Sequence, residues 1–207
     1  MVYRRTTITE GRREARRRIL LDAAIKLFSQ HGFHATTVPM IVAEAQSSTG
    51  SFYLHFQNKE DVLNVALEEL GQSIAKVMNN LMKTQPDALK RVSLGVETLF
   101  TFLAQNPEQA RILIVGSSGL SARIERTRRA ILLQQEDQVR RTHESAPCLF
   151  AIENTIIAAR CIVGAAFEVL YCWLEEDPET RMPAAEVAKA VAQFNVQAVK
   201  RIPAKPR

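Results

Sequence analysis

The sequence predicts an all-α fold, on three observations over its 207 residues. Apolar residues recur at three- and four-residue spacing along most of the chain, which gathers them on one face of a helix. No run alternates convincingly at period two, and the hairpin dipeptides Asn-Gly and Asp-Gly are absent. Breaks such as Asn106-Pro107, Gly116-Ser117-Ser118-Gly119, Ser145-Ala146-Pro147 and Asp177-Pro178 separate one periodic run from the next.

Taken in order, the first helix is expected over 13–30, where Ile19, Leu20, Ala23, Ala24, Leu27 and Phe28 share a face and Gly32 supplies the stop. Thr37 is placed to cap a second helix, with Pro39 in its first turn where a missing N–H costs nothing. Val38, Ile41, Val42 and Ala45 form its buried stripe. Ser48 caps a short third helix reaching about 54. Asn58 caps a fourth, with Glu60 and Asp61 in the first turn, where the helix dipole favours negative charge. The stripe of this fourth helix runs unbroken from Leu63 to Leu81, which makes it a long connector over 58–83. Further helices are expected over 87–105, 108–115, 121–143, 150–175 and 184–200.

Charge is distributed unevenly. Before Ile19, seven arginines (Arg4, Arg5, Arg12, Arg13, Arg16, Arg17 and Arg18) oppose only Glu10 and Glu14, which accounts for the whole net charge of +5. A basic arm on a neutral body suits a polyanion bound at one end. The basic start lacks the apolar stretch of a secretory signal. The most apolar segment, 152–174, is interrupted by Glu153, Arg160 and Glu168, so no membrane span is expected and the chain is placed in the cytoplasm. Cys148, Cys161 and Cys172 match no zinc spacing and are expected as buried, reduced thiols.

The stretch STGSFYLHFQNKE, from Ser48 to Glu60, carries the functional signal. Three short helices close together suggest a helix-turn-helix, whose third element enters the major groove of DNA and meets base edges with its N-terminal residues. Small residues there have a purpose: Gly50 lets the backbone approach, and Thr49 and Ser51 can bond bases or phosphates. The exposed helix N-terminus favours phosphate. Phe52 and Phe56, four apart, anchor the short helix inward, leaving Tyr53 and His55 to present polar tips outward.

From Ile19 to Leu67 the sequence strongly resembles the TetR family of bacterial transcription regulators. The resemblance rests on ILLDAAIKLFSQHGFHATTVPMIVAEA and STGSFYLHFQNKEDVLNVAL, with their Ala-Ala…Leu-Phe, Gly-Phe, Thr-Thr, Phe-Tyr, His-Phe and Lys-Glu pairs. It implies that Thr37 caps helix 2 against a phosphate, that Ser48, Thr49, Gly50 and Ser51 face the groove, that Tyr53 and His55 contact backbone or bases, and that Lys59 holds another phosphate. Two departures stand out. Gln46-Ser47 replaces the family's usual Gly-Val, which puts Gln46 in a left-handed conformation at about 1–2 kcal/mol and removes the apolar staple against Phe52. Thr49 replaces a frequent lysine.

The segments are expected to divide into a basic flexible arm over 1–12, a helix-turn-helix domain over 13–60 and a helical effector-binding and dimerisation domain over 61–207. The 152–174 stretch is apolar nearly all round, so both its sides need cover. One side packs on its own chain and the other on a second copy, with Ala158, Cys161, Gly164, Ala165, Val191 and Phe194 as the expected homodimer contact. The family places a small-molecule cavity between head and dimer helices, for which Met78, Met82, Phe100, Leu103, Leu113, Phe167 and Glu168 are the expected lining.

The resulting expectation is a DNA-binding repressor on a roughly palindromic operator, released by an unknown effector. A protein-interaction adaptor and a small-molecule-binding enzyme are the alternatives. No nucleophile elbow, phosphate loop, metal spacing or paired acids point to catalysis, so no enzyme, metal or cofactor is expected.

Overall fold

The computed structural model describes residues 7–117 and 119–200. Helix α1 spans Thr7–Ala35, with a break at Gly32, whose φ of 78° takes the chain out of helix. Residues 7–12, expected as part of a flexible arm, are therefore helical. Arg4 and Arg5 of that arm lie outside the described residues. Helix α2 is Val38–Glu44, and the Thr37 hydroxyl accepts from the Met40 N–H at 3.4 Å. Helix α3 is Thr49–Tyr53, and Ser48 accepts from the Ser51 N–H at 3.1 Å.

The turn between α2 and α3 closes without glycine. Gln46 has a φ of 46°. Its N–H donates to the Ala43 carbonyl (3.1 Å) and the Ser47 N–H to Val42 (2.8 Å), the pair of bonds that defines a Schellman stop. The turn is thus regular rather than loose. The departure from Gly-Val shows instead as strain at Gln46 and as a buried Ser47 hydroxyl with no partner among the described residues.

Helix α4, Lys59–Thr84, runs about 39 Å at 1.5 Å per residue. It is followed by α5 (Ala88–Gln105), α6 (Pro107–Arg111) with a π turn at Ile112–Gly116, α7 (Ala122–Ser145), α8 (Thr155–Glu175) and α9 (Ala184–Val199). The single helix expected over 108–115 is therefore α6 plus the π turn. Helix α8 starts five residues later than the helix expected over 150–175. Phe150 and Ala151 are held extended against the end of α9, with Ala151 N–H on the Val199 carbonyl at 2.8 Å, and Asn154 then caps the helix.

One core cluster runs from the head into the body through Leu20, Phe28, Phe52, Phe56, Leu67, Phe100 and Trp173. A smaller one joins α5, α8 and α9 through Val92, Val96, Ile162, Val191 and Val199. Where α4 crosses α7, a Cβ on Gly71 would lie 2.9 Å from Ile131 Cγ1, so only glycine permits the approach. Nearby, Asp61 pairs with Arg123 at 3.0 Å, Ser121 donates to Glu60 at 2.8 Å, and Thr127 donates to the buried Asn64 at 2.7 Å.

Helix α8 has the length and mean hydropathy (1.7) of a membrane span, but a third of that window is buried in this fold. Its apolar character serves two faces, of which Ala158, Ala159, Ile162, Val163 and Ala166 form the covered one. The three cysteines are exposed, contrary to expectation. Cys161 and Cys172 lie on the outward side of α8, and Cys148 lies in the turn that precedes it.

Candidate nucleic-acid interface and internal cavity

In the helix-turn-helix head, Phe52 is fully buried and Phe56 nearly so, with ring centroids 5.7 Å apart. They turn the opposite side of α3 outward. Thr37, Ser48, Thr49 and Gly50 are exposed, Ser51 is half-buried, and Tyr53 and Leu54 stand out at 57% and 72% exposure. Nothing lies within 4 Å of where a Gly50 Cβ would sit, so no packing inside the chain demands glycine there. His55 is half-buried and faces α1. Burial and the charges of Arg13 and Arg17 push its imidazole below the usual value, with Arg16 acting in the same sense and Glu14 opposing.

Lys59 requires a correction. Its ammonium donates to the carbonyls of Phe33 (2.8 Å), His34 (3.3 Å) and Thr36 (2.9 Å) and sits 4.4 Å from the centre of the Phe33 ring. An ammonium has three donors, and all three are engaged. Lys59 therefore closes the end of α1 onto α4 and is not free to hold a phosphate. Thr36, which the sequence reading passed over, is fully buried beside it and donates to Gly32 (2.8 Å) and Leu27 (3.2 Å) carbonyls.

The arginines of α1 also divide. Arg17 and Arg18 both reach Glu69 on α4, at 3.3 and 2.8 Å, and Arg18 pairs further with Asp22 at 2.7 Å. They fasten the head to the connector. Arg12, Arg13 and Arg16 remain exposed on the side of α1 that precedes this junction.

The body holds a cavity of about 30 Å³ between α4, α5, α7 and α8. Met78 and Met82 line it, as expected from the sequence. Phe100, Leu103 and Leu113 do not: they are buried in the main core, where Phe100 meets Trp173 edge-on at 5.9 Å. Phe167 packs on that core from outside and Glu168 is exposed, so neither lines the cavity. The lining that the sequence did not show includes apolar residues such as Val92, Leu99 and Ile162 and four polar ones, Arg91, Gln135, Gln138 and Thr142. A signal was available. Ile124, Ile131, Gln135 and Thr142 share the buried stripe of α7, where a glutamine is out of place.

On the outward side of α8 and α9, Cys161 and Gly164 are exposed, Ala165 is half-buried and Phe194 is 66% exposed. Ala158 and Val191 belong to the chain's own core instead, at 0% and 6% exposure. They cannot contact a second copy.

Among the described residues these features define a helical fold with a helix-turn-helix head continuous with a helical body that carries a small cavity. Residues 20–66 match the model of bacterial regulatory proteins of the tetR family. The chain is 37% identical over 103 residues, 48% of its length and 52% of the relative's, to the uncharacterized HTH-type transcriptional regulator YdgC of Bacillus subtilis. Its fold is similar to that of the fatty acid degradation regulator FadR from Bacillus halodurans, with a TM-score of 0.78 and 21% identity over 87% of this chain and 94% of the other. FadR from Bacillus subtilis in complex with stearoyl-CoA superposes with a TM-score of 0.74 and 20% identity, covering 87% and 98%. The chain spans about half the length of the first curated relatives it matches. The likeness to the tetR family is thus one of sequence over the helix-turn-helix head and of fold over most of the chain.

Proposed function

We propose that this chain is a sequence-specific DNA-binding transcriptional regulator, a cytoplasmic homodimeric repressor released by a small-molecule effector. The observation that carries this reading is α3. Its Phe52 and the following Phe56 are buried, while Thr49 and Gly50 in its capped start and Tyr53 at its end face outward. In a helix-turn-helix that end of the third helix meets base edges. Thr37, Ser48, Ser51 and His55 border the same face, and Arg12, Arg13 and Arg16 supply sequence-independent attraction to phosphates.

The effector part of the reading is supported by the body cavity and by a relative of the same fold that was solved with stearoyl-CoA. The dimer is supported by the outward side of α8 and α9, where Ile157 (52% exposed), Tyr171 (39%) and Phe194 (66%) stay uncovered beside Cys161 and Gly164. A second copy covering this face would set two α3 helices on one side of a duplex, about 34 Å apart or a multiple of that.

The test is selection of bound duplexes from a random library. Recovery of a roughly palindromic site, bound with affinity that falls steeply with salt, is the expected result. A protein that retains no duplex at low salt would leave the adaptor or enzyme reading standing instead. For the dimer, Phe194→Glu is expected to give monomers in sedimentation that bind the selected site far more weakly. A wild type that sediments as a monomer at micromolar concentration would sink that part.

A further inference from the structure

Gln135 is 2% exposed on α7, and neither its amide oxygen nor its amide nitrogen has a partner among the described residues. A buried amide left unpaired costs on the order of 1–3 kcal/mol, so such a group calls for an explanation. Its position supplies one, because Gln135 lines the body cavity. The walls around it are otherwise mostly apolar, from Met78 and Met82 on α4 to Ile162 on α8. Two further buried polar atoms on the same lining lack partners: Gln138 Oε1 and Arg91 Nε.

We infer that the cavity takes an apolar molecule whose single polar head both accepts and donates hydrogen bonds, a carboxamide or a protonated carboxyl group, paired with Gln135. The inference rests on the effector reading above and gives its ligand a chemical class. A primary amide side chain offers one donor and one acceptor side by side. The head that satisfies both at once presents the same pair in reverse. A carbonyl oxygen accepts from Nε2, and an N–H or O–H donates to Oε1.

Charge narrows the class. Among the described residues no carboxylate lines the cavity, and the charged residue on its wall is Arg91, whose guanidinium donates to the Pro86 carbonyl at 3.1 Å and to the Ser145 hydroxyl at 3.4 Å, both uncharged groups. An alkylammonium head would meet a like charge there and lose its hydration without an anionic partner. Cations are therefore excluded.

Size is the remaining constraint. At about 30 Å³ the cavity has room for roughly one water. An occupant must displace side chains, and the two on α4 are methionines, each with three rotatable bonds and little rotamer preference to overcome. Gly95 faces Met78 across the cavity, 3.5 Å from its methyl group to where a Cβ would be, so the opposing wall carries no side chain to obstruct that movement.

The experiment is calorimetric titration of the full chain with decanamide and with decylammonium, which share a tail and differ in head. Decanamide is expected to bind, and decylammonium to show no saturable heat at the same concentrations. Gln135→Met, close in volume and without the amide, is expected to raise the decanamide Kd at least tenfold. Gln135→Glu keeps the shape and reverses the charge preference, so it should admit decylammonium. Equal binding of both probes to the wild type, or an unchanged decanamide Kd in both variants, would overturn the inference. So would a Gln135→Met protein of higher Tm when neither probe binds the wild type, since Gln135 would then be a hydrated core residue. Retention on duplex DNA, measured without either probe, reports on the regulator reading separately. Its loss leaves the ligand class intact, and its persistence does not rescue it.

Discussion

Ser48 and Asn58 each find a hydrogen-bond partner three residues along the chain, whereas the cavity is assembled from side chains as far apart as Met78 and Ala166. The head is built from local rules: a cap, a stop, two aromatics four apart. The body is built from helices that meet only after long-range packing, and Gln135 on the cavity wall is left with neither amide atom paired among the described residues. The head's chemistry is therefore held rigid by short-range bonds, while the cavity's chemistry is exposed to whatever enters. One region is organised to present a fixed surface, the other to be completed by an occupant.

The comparison can be broken most forcefully at Phe52. Phe52→Ala removes a fully buried ring and is expected to cost about 3–5 kcal/mol, abolishing DNA retention while decanamide binding by the body persists. Loss of both together, followed by calorimetry and circular dichroism, would show that head and body do not differ in the way described.

Lys59→Ala comes next. Three carbonyls lose a charged donor, so a loss of about 2 kcal/mol in urea unfolding is expected. The salt slope of DNA binding should stay unchanged. A slope lower by about one unit would return Lys59 to the phosphate role its motif implies. Ser48→Ala should cost about 1 kcal/mol through the lost cap of α3. Gln46→Gly should stabilise the head by up to about 1 kcal/mol, because glycine relieves the left-handed strain.

The smallest expected effect is a pH dependence at His55. Its imidazole is held below the ordinary value of 6.5, so the unfolded chain takes up the proton first. The stabilising contribution is complete above pH 6.5 and is lost as pH falls through the lower folded value. His55→Gln should flatten that slope in thermal melts taken between pH 5 and 7, and an unchanged slope would assign it to other groups.

Most of the head was legible in the sequence because its determinants are local. Thr37, Ser48 and Asn58 cap where their residue types predict, and Phe52 and Phe56 bury as their spacing demands. What the sequence hid was competition for a side chain. Lys59 lies in a motif that suits phosphate, but three carbonyls at the end of α1, 23 to 26 residues earlier, reach it first. The cavity was half legible. Met78 follows from the α4 stripe and Met82 lies just beyond it, yet Phe100 and Leu113 were equally apolar, and only packing distinguishes a wall from a core. Likewise Ala158 and Cys161 are three apart on α8, and small size alone did not show that one turns inward and the other outward.

The glycine crossing of α4 and α7 has a mechanical consequence. Gly71 meets Ile131 of α7 at a point between the head end of α4 at Asp61 and the cavity end at Met78. At 1.5 Å per residue the two arms are about 15 Å and about 10 Å long. A rod pivoting at Gly71 would have a gear ratio of about 1.5, and turning its longer arm would mean breaking the Asp61–Arg123 and Asn64–Thr127 contacts that hold it to α7. Moving the fulcrum changes the ratio: an alanine at 71 would pry the crossing apart and blunt the stroke before either end was touched.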